Sequence, residues 1–212
     1  MPSSSNSKPS LEAGFSLLEL AIVLVILGII GSITLPLLTS QIQRAALVKT
    51  KANQEYALHA LAAYVEKYKR FPCPADPLAT GHQYGVARLH CQGEKARGML
   101  PFKTLGVRET YAKDGNKHLM TYAVEPNLTK RDADLPYEPG GYITVTNSLG
   151  FPVLETAQKN DPNPNYIALV LISHGENGSS RSETTFIFQD NPLTGDIIRW
   201  ESRDVFLKNY VR

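Results

Sequence analysis

Gly14-Phe15-Ser16-Leu17-Leu18-Glu19-Leu20, continuing as Ala21-Ile22-Val23-Leu24-Val25-Ile26-Leu27-Gly28-Ile29-Ile30, is the stretch on which the fold turns. Residues 1–14 before it are rich in Ser and Pro, and the change to a largely apolar run at Phe15 is the sharpest boundary in the chain. Residues 20–38 carry no charged side chain, and a helix needs about 20 such residues to cross a bilayer core. Residues 39–70 contain neither Pro nor Gly and are rich in Ala, Leu, Lys, Glu and Gln, so the helix is expected to continue past the apolar part. Along it, Leu58, Leu61, Val65 and Tyr68 recur at spacings of three and four and make a stripe that a packed domain must cover.

Phe71-Pro72-Cys73-Pro74 ends the helix, because proline lacks an amide donor and disfavours helix in the residue before it. Beyond it Gly and Pro recur, and five short strands are predicted at residues 119–124, 142–146, 166–172, 184–188 and 196–200. The segments His174-Gly175-Glu176-Asn177-Gly178 and Asp190-Asn191-Pro192-Leu193-Thr194-Gly195 carry the residues that hairpin turns favour. The predicted fold class is therefore α+β, a long N-terminal helix packed on an antiparallel sheet. The chain has four divisions: residues 1–14, the apolar half-helix 15–38, the amphipathic half-helix 39–70 and a globular domain 71–212.

The 22 basic and 20 acidic residues leave a formal charge of +2, too little to hold nucleic acid, so a nucleic-acid partner gains no support. Two cysteines are too few for a disulfide scaffold and match no zinc pattern with His82 and His90. Cys73 and Cys91 enclose a loop with Gly81 and Gly85, and a bridge between them is expected to contribute about 3 kcal/mol by restricting the unfolded chain. Ser173-His174 lacks a nucleophile elbow, and neighbours on a strand face opposite ways, so the pair reads as structural. Asp190, Asn191 and Asp196 could offer oxygens to calcium but lack EF-hand spacing, and turn chemistry is the simpler reading. Trp200 and Phe206 read as packing residues. No cofactor, metal or catalytic group is assigned.

The stretch quoted first resembles the prepilin processing site and N-terminal segment of type IV pilins and type II secretion pseudopilins. Pro36 matches a proline common in that family's first helix. The pieces Phe71-Pro72-Cys73-Pro74-Ala75, Gly98-Met99-Leu100-Pro101-Phe102, Ile172-Ser173-His174-Gly175-Glu176-Asn177-Gly178 and Asp196-Ile197-Ile198-Arg199-Trp200 resemble a group of prepilin-like minor subunits. The resemblance implies that residues 1–14 are a leader, that a prepilin peptidase cuts after Gly14 on the cytoplasmic side, and that the new N-terminal Phe15 is N-methylated. It implies a structural subunit of a pilus or pseudopilus and not an enzyme, with the inner membrane, its lipid, an assembly platform and other subunits as partners. Glu19, fifth in the mature chain, would pair with the N-terminus of a neighbouring subunit. A carboxylate costs roughly 3 kcal/mol at a membrane centre and less near its edge, so the physics also marks Glu19 as functional. The competing reading places it at headgroup level beside the positive end of its own helix.

Pro36, with Gly28 and Gly31, weakens one stretch of the helix, as a kink or as a place for close packing. A cleaved secretory signal is disfavoured because the apolar core is too long and no small-residue cleavage site comes after it. A plain membrane tether for an enzyme or ligand-binding domain is the stronger alternative, but a tether needs neither Gly14 nor Glu19. Lys8 before the span against Arg44, Lys49 and Lys51 after it would by charge counting put the globular part inside. The prepilin site requires the opposite, a cytoplasmic N-terminus and a periplasmic domain, and the cysteine pair suits that oxidising compartment.

Overall fold

The structure, a computed structural model, describes residues 16–147, 149–154, 165–175, 185–187 and 196–211; the side chains of residues 33–37 and 185–187 lie outside that description. Its first helix, α1, runs Leu17–Tyr68. The chain divides into two compact units, Met1–Ile42 and Gln43–Arg212. The described part of the first unit is the apolar portion of α1.

In the second unit α1 buries Thr50, Asn53, Gln54, Ala57, Leu58, Leu61, Ala62 and Val65 along one face. Tyr68 departs from the predicted stripe: it is 46% exposed and lies against the Tyr64 ring at 4.4 Å. The helix stops there, because Lys69 takes a positive φ of 53° and the Phe71 amide bonds to the Leu128 carbonyl at 2.8 Å instead. Phe71 is then buried against Phe206, ring centroids 5.0 Å apart.

Strands β1 (Arg97–Met99), β2 (Thr121–Val124), β3 (Thr144–Thr146), β4 (Ile167–Ser173), β5 (Thr185–Ile187) and β6 (Ile197–Ser202) precede a closing helix α2 (Arg203–Tyr210). A four-stranded antiparallel sheet has the order β1-β2-β4-β6, so the α+β expectation of a long helix with an antiparallel sheet holds. Side chains alternate across it. Tyr122, Val124, Leu169 and Leu171 join Leu58, Leu61 and Val65 in one core, while Ala123, Val170 and Ile172 join Ile143 and Val145 in a second, with Trp200 packed on its edge. Ala168 and Leu169 both belong to the first core, which fits the register shift between Ile167 and Leu169. Strand β4 is buried along its whole length because it is covered on both faces.

The hairpin expectation needs correction. β5 does not lie beside β4; it pairs in parallel with β3, Val145 opposite Phe186, in a separate two-stranded sheet. β6 takes the place next to β4, with Val170 opposite Trp200. The reason lies at the C-terminal end of β6: Ser202 caps α2, its hydroxyl accepting from the Val205 amide at 3.4 Å, and α2 carries Phe206 into the first core. The Arg203 amide bonds to the Tyr166 carbonyl at 2.9 Å, which holds the β6–α2 junction against the start of β4. Strand β1 and helix α2 were not predicted; β1 has three residues and α2 eight, each too short to show its period.

Candidate functional site: the apolar segment of the first helix

Of the predicted processing and assembly residues, Gly14 and Phe15 lie outside the described residues, and so does the side chain of Pro36, whose backbone is helical within α1. Ser16 begins the described chain. Its carbonyl accepts from the Leu20 amide at 3.1 Å and so closes the first helical turn, while its hydroxyl lies 3.4 Å from the Leu18 amide. Glu19 stands exposed in that first turn, where unpaired backbone amides favour a negative charge.

Every large apolar side chain here is uncovered: Leu17, Leu18, Leu20, Ile22, Val23, Leu24, Val25, Ile26, Leu27, Ile29 and Ile30, from 88% exposed at Leu17 to 44% at Val23. Burying such side chains is worth roughly 1.5–3 kcal/mol each, so a helix apolar on every side is costly to leave in water and calls for an apolar cover. A methyl group at Gly28 or Gly31 would meet nothing within 4 Å among the described residues, so steric room does not demand a glycine at either position there. Among the described residues no helix is long and apolar enough to cross a membrane. The uncharged run of the sequence continues through residues 33–37, whose side chains are outside that description.

In the second unit, Cys73 and Cys91 form a disulfide, both sulfurs buried, across a sequence separation of 18. Ser173 and His174 do not meet as a catalytic pair. The Ser173 hydroxyl donates to Asp114 Oδ2 at 2.6 Å, while His174 Nε2 lies 2.8 Å from the Thr121 hydroxyl. The Asp114 carboxylate also accepts the Asn116 and His118 amides at 2.9 Å each, so it serves as the hub of a turn. Of the calcium candidates, Asp190 and Asn191 lie outside the described residues; Asp196 faces His174 Nδ1 at 3.4 Å. His82 and His90 are exposed. Phe206 is fully buried and Trp200 half-buried.

Several buried polar residues escaped sequence reasoning. Gln54 Nε2 reaches the Ile197 carbonyl at 3.0 Å, and Asn53 Nδ2 reaches the Lys113 carbonyl at 2.6 Å, so both fasten α1 to loop and strand backbone. Their only sequence signal was position, one turn before Ala57 and Leu58 on the same face. Glu125 Oε2 accepts the Gly141 and Tyr142 amides at 3.0 and 2.8 Å. Burial pushes its carboxyl above the usual carboxylate range, against the opposing pull of those amides.

No curated protein and no solved structure matches this chain. Residues 9–35 match a family signature described as the prokaryotic N-terminal methylation motif, so the chain carries the prepilin-type signature of pilin- and pseudopilin-like precursors.

Proposed function

We propose that this chain is a structural subunit, of the minor kind, in a type IV pilus or a type II secretion pseudopilus. Residues 1–14 are a leader that prepilin peptidase removes after Gly14, leaving Phe15 as the N-methylated first residue. Residues 15–38 anchor the subunit in the inner membrane, with residues 71–212 in the periplasm, and then exchange lipid for the same segment of other subunits on the assembly platform. Residues 39–70 form the half-helix that carries the globular domain. Glu19 pairs with the N-terminal amine of a neighbour during that exchange, and Pro36 bends the segment. The chain itself performs no bond-making chemistry. Its minor rank rests on a globular part that is large and loop-rich for a principal repeating subunit.

The observation that carries this reading is the coincidence of the methylation motif with an apolar helix uncovered on all sides. Lipid and a bundle of like helices are the two environments that cover such a surface. The test is the intact mass and N-terminal sequence of the protein recovered from membranes. The expected chain begins at N-methylated Phe15, Gly14 replacement leaves it uncut, and Glu19→Gln leaves it cut but absent from filaments. A chain still starting at Met1 beside an active prepilin peptidase would reduce residues 15–38 to a tether and reject the proposal.

A further inference from the structure

In the second unit a cavity of about 520 Å³ opens beside the Cys73–Cys91 bridge, within the range of volumes that take small molecules. Its lining brings together Arg70, Arg88, Lys130 and Arg131 against one carboxylate, Asp132. In a chain with nearly balanced charge that is a local excess, and the pairing of each cation decides whether it is available. Arg88 is held by Asp76 at 3.2 Å, and Lys130 by Glu138 at 3.2 Å. Arg70 gives Nη1 to the Thr129 carbonyl at 3.3 Å, which satisfies one N–H and neutralises no charge. Arg131 has no partner among the described residues. With Asp132 as the one carboxylate of the lining, the guanidinium groups of Arg70 and Arg131 therefore leave this concavity with a net positive charge. Their forked donors match the oxygens of carboxylates and phosphates.

The rest of the lining suits a ring-sized, hydroxyl-bearing molecule. Tyr64 offers an aromatic wall. The Thr104 hydroxyl accepts the Ala87 amide at 2.8 Å, so its own proton is left to donate. The disulfide ties both ends of the loop that carries Arg88 and His90, so this wall is set before a ligand arrives.

We propose that this cavity is a binding site for a small sugar-sized molecule bearing an oxyanion, held between Arg70 and Arg131. The test is titration calorimetry of the full chain in detergent micelles with glucuronate, glucose 6-phosphate and neutral glucose. At least one charged probe is expected to bind saturably below about 1 mM, with glucose far weaker. A response to glucuronate alone, to the phosphate alone or to both assigns the oxyanion as carboxylate, phosphate or either. Arg131→Gln, at an exposed side chain with no described partner, is expected to weaken binding about ten-fold with unchanged circular dichroism. Arg70→Lys, which keeps charge but loses the fork, should weaken it less than Arg70→Gln. No binding of either anion up to about 10 mM, equal binding of glucose, or full affinity in Arg131→Gln overturns the site.

Discussion

Glu125 shows how one side chain couples the fold to pH. Only 2% exposed, it ties residues 141 and 142 to the end of β2 through two amides. Because burial raises its carboxyl's pKa, the folded chain keeps this proton to higher pH than the unfolded chain does, where it leaves near the ordinary value of 4.5. Its contribution to stability is therefore full below that value and is lost as pH rises through the folded-state value. Gln keeps an acceptor for both amides and cannot ionise, so the stability of Glu125→Gln relative to the parent should grow between about pH 4 and pH 7. Denaturant titration read by Trp200, the single tryptophan, measures it, and a difference that stays flat with pH would contradict the assignment. Gly115 is constrained by space alone. A methyl there would collide with the Ala46 backbone, and its amide already donates to Thr50 Oγ1 at 2.9 Å. Gly115→Ala is expected to cost about 1–3 kcal/mol by forcing the Asp114 turn off α1, seen as a lower denaturation midpoint at unchanged slope.

Among elements, the loop between Cys73 and Cys91 gains most from its bridge. It contains one short 3-10 turn, Gly81–Gln83, and one isolated bridge, Ala75 to Ala87, with little ladder of its own to resist opening. Replacing both cysteines by serine should lower the unfolding free energy by about 3 kcal/mol in the chain-entropy account. The parent treated with reductant should shift its thermal midpoint in the same direction; a parent indifferent to reductant would show that the bridge restricts nothing. Helix α1 and strand β4 were legible in the sequence, α1 from its three-four spacing and β4 from a continuous apolar run. The partners of β4 were not. Turn residues at 174–178 and 190–195 report that a chain can reverse locally, whereas the place beside β4 went to β6, fastened by Phe206 of α2 in the core.

At the scale of the molecule, the two units have opposite relations to water. Residues 17–30 expose their apolar side chains, while Gln43–Arg212 encloses two apolar cores of its own. A chain truncated to begin at Gln43 is expected to be soluble and cooperatively folded without detergent, and the full chain to need detergent or lipid. Size-exclusion chromatography with circular dichroism checks both, and an aggregated or unfolded truncation would show that the apolar segment is needed to fold the domain. The sequence by itself determined the N-terminal methylation motif, the long N-terminal helix and the α+β class, because each rests on local composition or on a period of a few residues. Only the tertiary structure decided that β5 leaves the main sheet for β3, that Asp114 and Glu125 serve as buried acceptors, and that Arg70 and Arg131 border one cavity. Those outcomes depend on which distant segments compete for the same edge or the same unpaired amide, and a one-dimensional pattern carries no record of that competition.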